Sequence, residues 1–249
     1  MRSGSRISAA LVGLATLPVV VLLSGCVTTE QVAARARLVD ARIRASQSPL
    51  RLTHRNPDVR VTRLWLLQGP SGTALAVALR NTSTRSLTDL PISVGLTTAT
   101  GRKLYLNHSA NVDYLDNHVV VMAPRSLVTW VYTSGRRLPG AVRPFAEVGV
   151  TQLPEPVTGT LPRVAVSRAR SAASSAARTL TVSVSKLSGI PQYGVPVYAV
   201  AVRSGRLLAA GRAIVAHLAT HGGANVPLAL LGRPGNASLR LSVLPTIFQ

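Results

Sequence analysis

A single cysteine, Cys26, stands in this chain of 249 residues, so no disulfide can close within it. The fold must be held by its core alone, and a composition that is 47% hydrophobic is adequate for that. Aromatic residues make up only 4%, and none interleave with basic residues as a stacking platform for nucleic acid would. Acidic residues number eight, and none follows Glu155. The C-terminal part therefore cannot build a carboxylate dyad or a Ser-His-Asp triad from its own residues. No glycine-rich phosphate loop precedes a helical pattern. His221-Gly222-Gly223 has no accompanying Gly-x-Ser-x-Gly elbow, so it reads as a hairpin turn.

The shortage of acids leaves a formal net charge of +20, carried by 26 arginines and two lysines. Residues 26–57 have six arginines against Glu30 and Asp40, and residues 156–249 have ten basic residues and no acidic one. A field of this size favours anionic partners such as lipid headgroups or acidic wall polymers. The competing source of the charge is compositional, since arginine accompanies abundant Ala, Val and Gly.

What is present begins at the N-terminus. Arg2 and Arg6 precede an apolar run from Ile7 to Leu23, and Leu23-Ser24-Gly25-Cys26 closes it. Charge, then apolar run, then small residues is the order of a secretory signal. The Leu-Ser-Gly-Cys ending resembles the lipobox of bacterial lipoproteins. That resemblance implies cleavage between Gly25 and Cys26, acylation of Cys26, and a lipid-anchored position on the extracytoplasmic face of the cell membrane. An uncleaved anchor is the competing reading. The 17-residue run is near the lower limit for spanning a bilayer and is diluted by Ser8, Gly13 and Pro18.

After Cys26, Thr28 and Thr29 are candidate N-caps for a helix reaching about Ala45, a stretch without Gly or Pro. Val32, Ala36, Val39 and Ile43 share one face of it, and Arg35, Arg37, Arg42 and Arg44 occupy much of the rest. Two roles follow: a basic amphipathic helix on anionic headgroups, or a solvated spacer.

From Asp58 the hydrophobic period becomes two. Strands are predicted at Val59 to Leu67, Leu75 to Leu79 (half-buried), Ile92 to Leu96 and Leu104 to Leu106. Val119 to Met122 and Leu127 to Tyr132 read as a pair around Ala123-Pro124-Arg125, and Phe145 to Val150 comes last. Leu153 to Gly159 reads as a linker. Strands then resume at Val164 to Ala169, Leu180 to Val184, Val195 to Arg203, Leu207 to Val215, Val226 to Leu231 and Leu239 to Val243. The expected architecture is all-β: two tandem immunoglobulin-like antiparallel β-sandwiches after a signal peptide (1–25) and a lipidated, helical N-terminus (26–57). The sandwiches occupy 58–152 and 163–249, with the linker at 153–162. Leu90-Pro91-Ile92 with Gly101-Arg102 and Val195-Pro196-Val197 with Gly205-Arg206 suggest a duplication, and each proline suits an edge strand.

The run Val77 to Ser83, with Leu87 to Ile92 and Gly101 to Tyr105, resembles the immunoglobulin-like domains of bacterial envelope lipoproteins of the FxLYD type; related patterns occur in the LEA-type sandwich. The resemblance implies fold and address more than activity. For chemistry, the best cluster is His108, Asp113, Asp116 and His118, two imidazoles and two carboxylates that can ligate a divalent metal or serve as turn residues of a long loop. The function expected is a non-enzymatic, membrane-anchored binding or scaffolding module of the cell envelope, with no cofactor. Its partners would be the membrane through the lipid, anionic lipids or wall polymers, and a protein, but not nucleic acid. The alternatives are a carrier or enzyme of envelope lipid or wall polymer metabolism, and a wall-binding spacer.

Overall fold

A computed structural model of the chain describes residues 29–138, 141–151, 161–168, 179–189, 191–219 and 222–246. The leader, Gly25, Cys26 and the segment from Leu153 to Gly159 lie outside the described residues. Helix α1 spans Thr29–Gln47, as the absence of Gly and Pro predicts. Among the described residues all other regular structure, apart from a 3-10 turn at Tyr114–Asp116, is antiparallel β, in three sheets. In chain order the strands are β1 (Val59–Gly69), β2 (Gly72–Asn81), β3 (Leu87–Thr98), β4 (Lys103–Tyr105), β5 (His118–Met122), β6 (Leu127–Ser134) and β7 (Ala141–Val148). They continue as β8 (Val164–Arg168), β9 (Thr179–Lys186), β10 (Gln192–Arg203), β11 (Arg206–Leu218), β12 (Gly223–Gly232) and β13 (Ser238–Val243).

The first half forms two sheets, β1-β2-β6 and a four-stranded sheet in which β3 pairs with β4, β5 and β7. The predicted β5–β6 pair is corrected here. β5 pairs with β3 while β6 pairs with β2, so Ala123-Pro124-Arg125 carries the chain from one sheet to the other. Asn81 builds that corner: its amide donates to the carbonyls of Arg85 and Ala123, and its Oδ1 accepts from the Ser83 N–H.

The second half is also corrected. Its six strands form one sheet, β13-β10-β11-β12-β9-β8, where two facing sheets were expected. The sheet rolls until its edge strands β8 and β13 touch, enclosing a core of Leu180, Val182, Val184, Val195, Val197, Val215 and Leu228. Thirteen-residue β11 and twelve-residue β10 are long enough to coil in this way.

β2 joins the halves. Leu75, Val77 and Leu79 share a face with Trp130 and Tyr132 toward the four-stranded sheet, where the Tyr132 hydroxyl donates to the Leu106 carbonyl. Ala74, Ala76 and Ala78 share the other face with Trp65 and Leu67, and Leu67 lies against Gly232 of β12. Every β2 residue except Arg80 is buried, so the half-buried reading fails. Small side chains on the outer face let the rolled sheet approach, and one core runs from Leu75 and Ile92 to Tyr198, Val200 and Ala210.

The two hairpins flagged as a repeat are both present, turning at Gly101 (φ 83°) and Gly205 (φ 77°), where glycine adopts the left-handed backbone without a Cβ clash. Their prolines do not sit on edge strands. Pro91 and Pro196 lie in interior strands, each where one neighbour runs out: Pro91 O accepts from Gly149 N, beyond β7, and Pro196 O from Leu244 N, beyond β13. No ladder donor is needed on that side.

Candidate functional site

The segment between β4 and β5 leaves the sheet as a loop, and one buried side chain closes the gap behind it. Asn107 Oδ1 accepts from Val94 N (3.0 Å), and its amide donates to Ile92 O (2.7 Å) and Asp116 O (2.9 Å). The side chain thus replaces the missing rung on β3. The loop it releases carries His108, Asp113 and Asp116, His118 opens β5, and each of the four proposed metal ligands has a different partner. His108 Nε2 lies 2.6 Å from Ser93 Oγ, and its ring stacks on Tyr105 at 4.0 Å. Asp113 caps the 3-10 turn by accepting from Leu115 N. Asp116 pairs with Arg212 of β11 at 2.8 Å, and His118 shares a 2.6 Å hydrogen bond with Asn117 and stacks on Tyr114 at 3.9 Å. Among the described residues no three such side chains converge for a metal, and each of the four is engaged in the packing of the loop and the start of β5.

The Ser93–His108 contact has the separation of a nucleophile and its base. Burial lowers the His108 pKa, against the opposing charge of Glu147. Ser93 is 1% exposed, which closes its hydroxyl to a substrate in this conformation.

Of the four arginines proposed for anionic contact, two face the protein. Arg42 lies over the Tyr114 ring at 4.9 Å and reaches Asp89 at 3.5 Å, while the Tyr114 hydroxyl donates to Asp89 at 2.7 Å. Arg35 lies over the Tyr193 ring of β10 at 3.6 Å, and Tyr193 stacks on His217 of β11 at 4.6 Å. Each half therefore presents a stacked Tyr–His pair, and α1 covers both with arginines two helical turns apart, about 10 Å along the axis. Arg44 pairs with Asp40 on the exposed side, and Arg37 is exposed. Nothing in the spacing of α1 marked Arg35 and Arg42 as the inward pair, because their partners, Tyr193 for the first and Asp89 and Tyr114 for the second, lie far along the chain.

A second tie crosses the same seam. Arg212 brings Asp116 and Asp113 (4.0 Å) of the first half onto β11, beside the buried and unpartnered Tyr198 hydroxyl. All six acids with described ion pairs, Asp40, Asp58, Asp89, Asp113, Asp116 and Glu147, are engaged by basic residues. Exposed arginines such as Arg60, Arg63 and Arg240 leave the surplus positive charge on the surface, the first two on edge strand β1 and the third on edge strand β13, where charge discourages edge pairing.

No protein-family model matches the chain, and no curated protein matches it.

Two measurements probe this seam. Replacing both Arg35 and Arg42 by alanine should free α1, raising hydrogen exchange across residues 29–47 by at least tenfold, since each cation–π contact contributes about 1 kcal/mol. Unchanged exchange would mean that other contacts hold the helix. The second is a pH dependence. Burial pushes the His118 pKa down to about 4, with Arg42 adding to the effect and the Tyr114 backbone opposing it. The unfolded chain takes up this proton near pH 6.5 while the folded chain resists until about 4, so stability is lost as pH falls through that window. Asp116 acts oppositely: burial raises its pKa to about 6 against the pull of Arg212, so it favours the fold on acidification from pH 6. His118→Gln should therefore lose about 2–3 kcal/mol less than the unmodified chain between pH 7 and pH 4 in denaturant titrations. Equal losses would exclude the imidazole.

Proposed function

We propose that this chain is a lipid-anchored protein of the extracytoplasmic membrane face, acting as a non-enzymatic binding or scaffolding module of the cell envelope. The observation that carries the reading is Leu23-Ser24-Gly25-Cys26, with the only cysteine at its end and α1 starting at Thr29. Among the described residues no helix is long and apolar enough to cross a membrane. The seven described strands of the first half, in two sheets, support an immunoglobulin-like sandwich there. The net charge of +20 supports anionic lipids or wall polymers as the surroundings. Metabolic labelling with a palmitate analogue tests the reading. Incorporation that depends on Cys26 supports it, and an unlabelled chain in cells that make it normally sinks it.

A further inference from the structure

Helix α1 keeps an apolar stripe outward. Arg35 and Arg42 grip the two Tyr–His stacks, while the apolar stripe faces solvent: Val32 is 54% exposed, Val39 44% and Ile43 51%, and Ala36 between them is exposed as well. At 100° per residue these four fall within about 60° of arc and extend about 16 Å along the helix. A water-soluble helix ordinarily buries such a stripe and exposes its arginines.

We propose that the stripe Val32-Ala36-Val39-Ile43 lies in the headgroup region of an anionic phospholipid bilayer, as a second contact beside the acyl anchor. The proposal rests on the lipid-anchored reading and adds to it the face that meets the membrane. Two observations select a bilayer as the occupant. Cys26 is three residues before Thr29, so an acylated Cys26 holds the first turn of α1 within about 10 Å of the lipid surface. Confinement at that distance lets a short stripe associate that would be too weak alone. Around the helix Arg44 and Arg37 follow about 80° and about 100° beyond Ala36 on the exposed flank, where long arginine side chains reach back toward anionic headgroups; Asp40, between them and the stripe, is already paired with Arg44. The inward arginines give the contact a consequence: with α1 fixed to both halves, seating the stripe sets the tilt of the whole β-body against the membrane.

The test uses the purified, acylated full chain in vesicles of three parts phosphatidylglycerol to seven parts phosphatidylcholine. Single cysteines are introduced by Val39→Cys and, on the flank, Arg37→Cys, and each is labelled with a polarity-sensitive fluorophore. Lipid-borne nitroxides should quench the label at 39 at least threefold more than the label at 37, with a blue-shifted emission at 39 only. A chain that floats with the vesicles but shows equal quenching at both sites overturns the stripe and leaves the anchor standing. A chain that does not float, and whose native Cys26 takes the thiol label, overturns the anchor and the stripe together.

Discussion

Replacing Cys26 by alanine is expected to move nearly all of the protein from the membrane fraction to the soluble fraction and to abolish incorporation of a palmitate analogue. The size of the effect follows from how little else is available. Acyl chains contribute about 0.8 kcal/mol per buried CH₂, so losing two or three of them removes tens of kcal/mol of gross attachment. The outward stripe of α1 has four small apolar residues, too few for stable attachment without the tether. A variant that remains sedimentable with membranes after a high-salt wash would show that residues 7–23 are retained as an uncleaved anchor. Cleavage is read separately, from the N-terminal residue of the mature chain.

The largest effect within the fold is expected at Asn107. Its side chain is fully buried and makes three hydrogen bonds that stand in for a strand rung. Asn107→Ala leaves the Val94 N–H and the Ile92 and Asp116 carbonyls without partners in a dry site, at about 1–3 kcal/mol each before relaxation. A loss of about 3–5 kcal/mol is expected, lowering Tm by about 10 °C or more. Ser109→Ala, on the exposed part of the same loop, should stay within about 0.5 kcal/mol of the unmodified chain. Equal Tm values for the two variants would mean that the loop closes without the asparagine.

Local features of this fold could be read from its sequence, and remote ones could not. Alternation such as Ile92-Ser93-Val94 announces a strand, and Gly101 and Gly205 announce their turns, because both depend on neighbours along the chain. Partnering does not. Ala123-Pro124-Arg125 has hairpin composition, yet it switches sheets, with Asn81, more than 40 residues earlier, holding the Ala123 carbonyl. The strands of the second half were placed, but nothing in their pattern separates one rolled sheet from two facing ones. The candidate site fared similarly. His108, Asp113, Asp116 and His118 were found as a polar loop, but their roles come from Ser93, Arg212 and Tyr114. For α1 the apolar and basic faces were both legible, and which face turned inward was decided by Tyr114 and Tyr193.

The alanines of β2 carry a consequence for how this molecule can be altered. Because Ala74, Ala76 and Ala78 belong to the seam, any bulkier replacement there would act as a wedge between the halves, even though it would sit in a strand of the first. Neither half is a cassette that can be cut out, since removing the rolled sheet would leave Trp65 and Leu67 wet. The two must be inherited, and engineered, as a matched set.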